Sequence, residues 1–269
     1  MTLELTKTGT SYAISGVRST TVVVFIHGLG LNKNMWQYQI SEFEKKYCVL
    51  SYDLFGHGQS VVAKEEPSLS VFSSQLKLLL TELDFSKVIV IGFSLGGMIA
   101  RHFAQNYHSM ITSLVILNSP HKRTAIAQDA VLKRYHQVSQ NGPLSTVDDA
   151  IKRWFTVGFE KNNKSEIDLV RSWVLSNEPE IYSKNYWVLV EGVKEVIDRH
   201  GSIRCPTLVV TASEDFGNGP EMARSIADEI PGSELLVLKG LRHMALFEQP
   251  QTVNRYLDEF LAITYPEEK

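Results

Sequence analysis

The chain has 269 residues, 43% of them apolar and 21% charged, enough to bury a full core as one large domain or two small ones. Its 27 basic and 30 acidic residues nearly cancel to a net charge of −3, which offers no basic surface to nucleic acid and no like-charge tail. The N-terminus MTLELTKTGT lacks the basic and apolar segments of a secretion signal, and no apolar run approaches membrane-spanning length. A cytoplasmic protein with no membrane partner is expected. Cys48 and Cys205 both sit in apolar contexts and read as buried thiols, as a reducing compartment favours.

In chain order, residues 3–8, a turn at Gly9 and residues 12–15 read as an antiparallel hairpin at a sheet edge. Short apolar runs then alternate with longer segments of helical spacing. Residues 21–26, 47–52, 87–91, 113–117, 207–211 and 234–238 are rich in Val, Ile and Leu without polar alternation, the pattern of strands buried on both faces. Helices are predicted over 70–83, where Phe72, Leu76, Leu79, Leu80 and Leu83 form one stripe, and over 95–107, 220–230 and 252–263. This alternation predicts an α/β fold: a mostly parallel, eight-stranded sheet with helices on both faces.

Residues 120–196 break the rhythm. They show helical patterns separated by Asn141-Gly142-Pro143, Lys161-Asn162-Asn163 and Glu178-Pro179, and no strand. That stretch is too long for a simple crossover. It predicts a helical cap inserted after the sixth strand, over a core domain formed by residues 1–119 and 197–269. Its aromatic residues include Trp154, Phe155, Trp173, Tyr182, Tyr186 and Trp187, and some of these should line an apolar substrate pocket. Trp154 and Trp187 are the first candidates; most of the others should hold cap helices together. His121-Lys122-Arg123 reads as a solvated basic turn, with contact to a substrate carboxylate as the alternative.

Gly92-Phe93-Ser94-Leu95-Gly96-Gly97 lies where a buried strand passes directly into a helix. The bare G-x-S-x-G pattern is weak, since about one chain in ten of this length carries it by chance. Its strand-to-helix setting is what gives it meaning. Flanking glycines permit a tight turn that presents the Ser94 hydroxyl beside a helix N-terminus, where free N–H groups favour developing negative charge. A serine needs a base, and His243 is placed for it, in the loop between the last predicted strand and the last helix. The loop after residues 207–211 offers two carboxylates, Glu214 and Asp215. No His, Cys and Asp cluster has metal-ligand spacing, so neither metal nor other cofactor is expected.

These residues resemble the α/β-hydrolase superfamily over nearly the whole chain. The likeness rests on Phe25-Ile26-His27-Gly28-Leu29-Gly30, on Asp53-Leu54-Phe55-Gly56-His57-Gly58-Gln59-Ser60, on the Ser94 turn, and on Gly240-Leu241-Arg242-His243-Met244 with Glu248-Gln249-Pro250 behind it. The resemblance implies a triad of Ser94, Asp215 and His243. It also implies an oxyanion hole from the backbone N–H groups of Leu29 and Leu95, and structural roles for His27 and His57. Ala212 stands where many relatives have glycine, but Asp215 keeps the offset of the acid, which favours it over Glu214. Serine rather than aspartate at 94 sets aside dehalogenase and epoxide-hydrolase chemistry.

Within the superfamily the motifs are most similar to the carboxylesterase and 3-oxoadipate enol-lactonase group. That implies hydrolysis of an ester or lactone of a small, largely apolar molecule through an acyl-enzyme, with no cofactor. Hydrolases of carbon–carbon bonds in ring-cleavage products come next, although they usually carry Trp where this chain has Met244. A ligand receptor of the same fold with vestigial hydrolysis is the third reading. No sequence feature bears on oligomeric state.

Overall fold

Strands apolar on both faces must be covered by helices on both sides, and the chain builds such a sheet. The computed structural model describes residues 4–17 and 19–265; the expected strand residue Leu3 lies outside them. The strands are β1 (Glu4–Leu5), β2 (Ser11–Gly16), β3 (Thr21–Ile26), β4 (Cys48–Tyr52), β5 (Lys87–Phe93), β6 (Ile111–Leu117), β7 (Thr207–Ala212) and β8 (Glu234–Leu238). Their order across the sheet is β1-β2-β4-β3-β5-β6-β7-β8. The β1–β2 and β2–β4 pairs are antiparallel, and every other pair is parallel. Every residue of β3, β4 and β7 is buried, as their unbroken apolar runs require.

The core helices are α1 (Gln37–Phe43), α2 (Leu69–Glu82) and α3 (Leu95–Asn106), and, near the C-terminus, α10 (Pro220–Glu229), α11 (Ala245–Glu248) and α12 (Pro250–Thr264). Ser68 caps α2 by accepting the Val71 N–H, and Leu69, Phe72, Leu76, Leu79 and Leu80 form its buried stripe. Proline opens both α10 and α12, where a missing N–H costs nothing. After β3 the chain steps to β4 on one side, then returns to β5 on the other. β3 and β5 therefore flank the point where strand order reverses, and their carboxyl ends frame a crevice.

Between β6 and β7 lie only helices: α4 (Ala125–Asn141), α5 (Val147–Trp154), α6 (Val157–Asn162), α7 (Lys164–Leu175), α8 (Pro179–Glu191) and α9 (Val193–Val196), with a short 3₁₀ turn at Pro143–Ser145. Their bonds to the rest run to loops at the carboxyl ends of strands. Asn177 donates to the Gly30 carbonyl at 2.9 Å, and Asn185 to that of Phe55 at 3.3 Å. The Met244 N–H donates to the Trp154 carbonyl at 2.9 Å. The insertion thus sits over the edge of the sheet where the crevice opens.

Its two junctions meet on one buried ion pair. Arg101 on α3 donates to the carbonyls of Pro120 at 3.3 Å and Val196 at 2.8 Å, and pairs with Glu229 on α10 at 3.3 Å. Glu229 also accepts from the Asp198 N–H at 2.7 Å and from His121 Nε2 at 2.9 Å. Burial, with the Arg101 charge behind it, lowers the His121 pKa, so the ring is neutral at pH 7 and donates. His121 is therefore buried and bonded, not part of a solvated turn. Both cysteines are free thiols, and burial pushes their pKa values up. No helix among the described residues is long and apolar enough to cross a membrane.

The Arg101 side chain is 1% exposed, so removing its partner leaves a charge with little access to water. Glu229→Gln is expected to cost about 3–5 kcal/mol, the usual penalty for breaking a buried pair from one side. Urea denaturation followed by circular dichroism checks this; a loss under about 1 kcal/mol would mean the pair behaves as an exposed one.

Candidate active site

The site begins with a packing constraint. A Cβ on Gly92 would lie 2.2 Å from the Gly96 carbonyl oxygen, and one on Gly96 would lie 2.3 Å from the Ile26 oxygen. Helix α3 therefore approaches β3 and β5 more closely than any side chain allows, and the single residue between β5 and α3 must turn sharply. That residue is Ser94, with φ +54° and ψ −113°. Such a conformation costs about 1–3 kcal/mol in a non-glycine residue and persists only where its surroundings impose it. The Ser94 N–H donates to the Leu117 carbonyl at 2.9 Å, and the Ser119 hydroxyl donates to the Ser94 carbonyl at 3.0 Å. The turn is held from both sides.

Pairing of Ile26 with Gly92 brings the loop after β3 alongside this turn. His27 fastens that loop: Nδ1–H donates to the Gly28 carbonyl at 2.8 Å, and Nε2 accepts the Leu54 N–H at 2.9 Å. Burial pushes its pKa down, which keeps the ring in this neutral tautomer. Burial and the adjacent His27 likewise drive the His57 pKa to about 3. Neither ring lines the crevice. Asp53 anchors the far end of the loop, accepting the Lys33 N–H and the Lys33 ammonium, each at 2.7 Å. Between these anchors, the N–H of Leu29 donates to no acceptor among the described residues. The same holds for the N–H of Leu95, the first residue of α3.

His243 follows β8 and packs its ring on Phe93 at 4.8 Å and on Trp154 at 6.1 Å, centroid to centroid. Its Nδ1 lies 2.7 Å from Asp215 Oδ2, which assigns the proton to Nδ1 and leaves the Nε2 lone pair available. Asp215 also accepts from Asn118 Nδ2 at 2.9 Å and from the N–H groups of Gly217 and Asn218, each at 3.0 Å. Burial alone would raise its pKa. Its electrostatic interaction with His243 and these hydrogen bonds overcome burial and hold the carboxyl at about 2. Glu214, the competing carboxylate, is 50% exposed and faces Arg242 at 3.9 Å, away from His243.

Ser94, Asp215 and His243 line one cavity of about 110 Å³. Among the described residues no hydrogen bond joins the Ser94 hydroxyl to His243, a contact that often closes only when substrate is bound. From the insertion, Trp154, Tyr182 and Tyr186 line the cavity, but Trp187 does not. Trp187 is 43% exposed and packs on Tyr135 at 4.8 Å. Tyr182 and Tyr186 are one turn apart on α8 and share its inner face; the residue after Tyr186 points roughly 100° away. Phe155 and Trp173 pack on Phe247 at 6.3 and 6.0 Å and hold the insertion to the core.

Two further expectations need correction. The cavity is not largely apolar, because Arg123, Arg134 and Arg153 all line it. Arg123 is also no solvated residue: it donates to the carbonyls of Leu189 and Val190 at 3.0 and 3.3 Å. Asn118 was missed altogether. Its signal was its position, directly after a buried strand and so at the carboxyl edge, in a left-handed conformation (φ +48°) that Asn tolerates better than most residues.

Residues 21–250 match the model of the alpha/beta hydrolase fold family. The chain is 28% identical over 242 residues to an (E)-2-((N-methylformamido)methylene)succinate hydrolase of Acinetobacter baylyi, covering 90% of each. It is 27% identical over 258 residues to 3-oxoadipate enol-lactonase 2 of the same organism, covering 96% of this chain and 94% of that one. In structure it is similar to a thermophilic esterase from Thermogutta terrifontis, with a TM-score of 0.86, 25% identity and coverage of 95% and 94%.

The Asp215 environment makes a pH prediction. Its folded pKa, about 2, lies below the ordinary value near 3.9. The stability it contributes is therefore complete above about pH 4 and disappears as pH falls toward 2. Carboxyl ¹³C NMR should find Asp215 ionised at pH 3 in the folded protein. Asn118→Leu, which removes one donor to the charged form, should move its titration upward. A wild-type midpoint near 4 would contradict the geometry.

Proposed function

The chain belongs to the α/β-hydrolase fold family, and from that premise we propose that it is a serine hydrolase cleaving a small ester or lactone through an acyl-enzyme on Ser94. The observation that carries this reading is the turn at Ser94, set in one cavity with a histidine whose Nδ1 is held by a buried carboxylate at 2.7 Å. The relative whose name is 3-oxoadipate enol-lactonase 2, matched along 96% of this chain, supports a lactone or ester bond.

On this reading His243 Nε2 takes the proton from the Ser94 hydroxyl as Oγ attacks the substrate carbonyl. The carbonyl oxygen becomes an oxyanion and is bound by the N–H groups of Leu29 and Leu95. Collapse of the tetrahedral intermediate expels the alkoxide, which takes the proton back from His243 and leaves as the alcohol. In a lactone the alkoxide stays attached to the acyl group. Water then enters, gives its proton to His243 and attacks the acyl carbon; Ser94 leaves with that proton, and a carboxylic acid is released. Asp215 holds the tautomer and stabilises the imidazolium at each proton transfer. Residues 120–196 act as a cap on the core formed by 1–119 and 197–269, walling the cavity and limiting water at the oxyanion.

Ser94→Ala should fold normally and abolish turnover of p-nitrophenyl butyrate. A fluorophosphonate should label the wild type once, at Ser94. Asp215→Asn should lower kcat by about 10⁴, as loss of the correct tautomer does in comparable triads, while Glu214→Gln changes it little. Labelling at another residue, full activity in the alanine variant, or the reverse ranking of the two acids would overturn the assignment.

A further inference from the structure

The charge lining the cavity is not balanced. Arg123, Arg134 and Arg153 contribute three guanidinium groups, and the one carboxylate in the lining, Asp215, is already paired with His243. Arg123 spends its donors on Leu189, Val190 and the Gln128 side chain. Arg134 on α4 and Arg153 on α5 are different. Among the described residues neither side chain makes a hydrogen bond or an ion pair, although each residue is half-buried. Burial together with the Arg134 charge pushes the Arg153 pKa down, against a smaller opposing pull from Tyr186, Asp149 and Tyr182. Elsewhere this protein pairs its buried cations, Lys33 with Asp53 and Arg101 with Glu229.

The rest of the cavity wall suits an anion. Tyr182 and Tyr186 line it, and among the described residues neither phenol oxygen has a hydrogen-bond partner. Burial drives the Tyr182 pKa far up, so that phenol stays a neutral donor. Arg134 and Arg153 carry ten side-chain N–H donors and the two tyrosines two phenolic O–H groups, and among the described residues none of them has a protein acceptor, although all four residues line the cavity that holds Ser94. A guanidinium fork matches a carboxylate in shape and binds it through two parallel hydrogen bonds.

We infer that Arg134 and Arg153 form an anion subsite, and that the substrate is an ester or lactone carrying a carboxylate remote from the bond that is cleaved. The carboxylate docks against the cap while the reacting carbonyl lies over Ser94. This deepens the serine-hydrolase reading, on which it rests for the position of the carbonyl. Opening a half-ester or a lactone of this type releases a second carboxylate, so the product of a carboxylate-bearing acyl group is a dicarboxylic acid.

Matched substrates test the charge alone. Monoethyl adipate is compared with ethyl hexanoate, and 4-acetoxybutyrate with butyl acetate, so that the carboxylate lies on the acyl side in one pair and on the alcohol side in the other. In at least one pair the anionic ester should have a kcat/KM about 10- to 100-fold higher, the factor carried by a charge-assisted hydrogen bond. Arg134→Gln and Arg153→Gln should each collapse that ratio, and Arg153→Lys should restore part of it. Lys133→Gln, on the exposed face of α4, should leave the ratio intact. Added salt should lower the ratio in the wild type, which requires no variant to fold. Equal kcat/KM in both pairs, or a ratio that neither arginine change moves, overturns the proposal and leaves the hydrolase reading standing. Titration of Ser94→Ala with adipate by calorimetry separates the two ideas. Binding that is lost with either arginine supports the subsite even if no ester is turned over, whereas no binding overturns it.

Discussion

Everything at the crevice depends on how closely α3 packs against β3 and β5. The Gly92–Gly96 contact and the Gly96–Ile26 contact leave no space for a Cβ, so the chain must reverse within one residue. Ser94 takes the whole turn at φ +54°. Three consequences follow from that single constraint. The hydroxyl is lifted to the sheet edge, the Leu95 N–H is left outside the helix ladder, and the loop carrying Leu29 is drawn alongside. A looser approach of the helix would relax the serine and separate the two N–H groups together. The cost of the strained turn, about 1–3 kcal/mol, is offset by the buried contacts of Met98, Ile99 and Phe103 on the same helix.

Buried charge is handled in two ways in this molecule. Where it is structural it is neutralised: Asp53 receives the Lys33 ammonium and two backbone N–H groups, and Glu229 receives Arg101, His121 and the Asp198 N–H. Asp215 follows the same rule through His243, Asn118 and two further N–H groups. Such anions are stabilised by donors that do not move, so they hold loops in place without needing a counter-ion from solvent. Arg134 and Arg153 break the rule. Half-buried in a cavity wall and without a hydrogen bond or ion pair among the described residues, their side chains are, on the proposed assignment, the charge complement to something that enters it.

Most of the sheet was legible because its signal is local. Uninterrupted Val and Ile runs such as Val22–Ile26 have no other stable use, and the strand-to-helix order fixes the parallel pairing. Positions at the carboxyl edge were legible for the same reason, which is how Ser94, His243 and the Glu214–Asp215 pair could be picked out. What could not be read depends on direction and distance. Helix α1 has the sequence QYQISEF, and only Gln39 and Phe43 are buried; Gln39 is fixed by hydrogen bonds to Leu246 and Asn254, more than two hundred residues away. Trp187 and Tyr186 are neighbours in sequence, yet a rotation of about 100° around α8 decides which of them faces the cavity. The arginines were hidden because charged residues on helices normally face solvent, and composition carries no trace of the exceptions.

The insertion is not a loose roof. Arg242, next to His243, donates to the carbonyls of Lys152 and Phe155 at 2.7 and 2.8 Å, and the Met244 N–H donates to Trp154. The histidine loop and the C-terminal turn of α5 are thus one hydrogen-bonded unit, and Arg153 sits inside it. On the proposed assignment the base that drives the reaction and the cation that reads the substrate are held at a set separation. Movement of α5 would shift both. A substrate of the right length can then satisfy guanidinium and oxyanion donors at once, while a shorter or longer one must give up one of them. Selectivity for length therefore follows from the same contacts that orient His243.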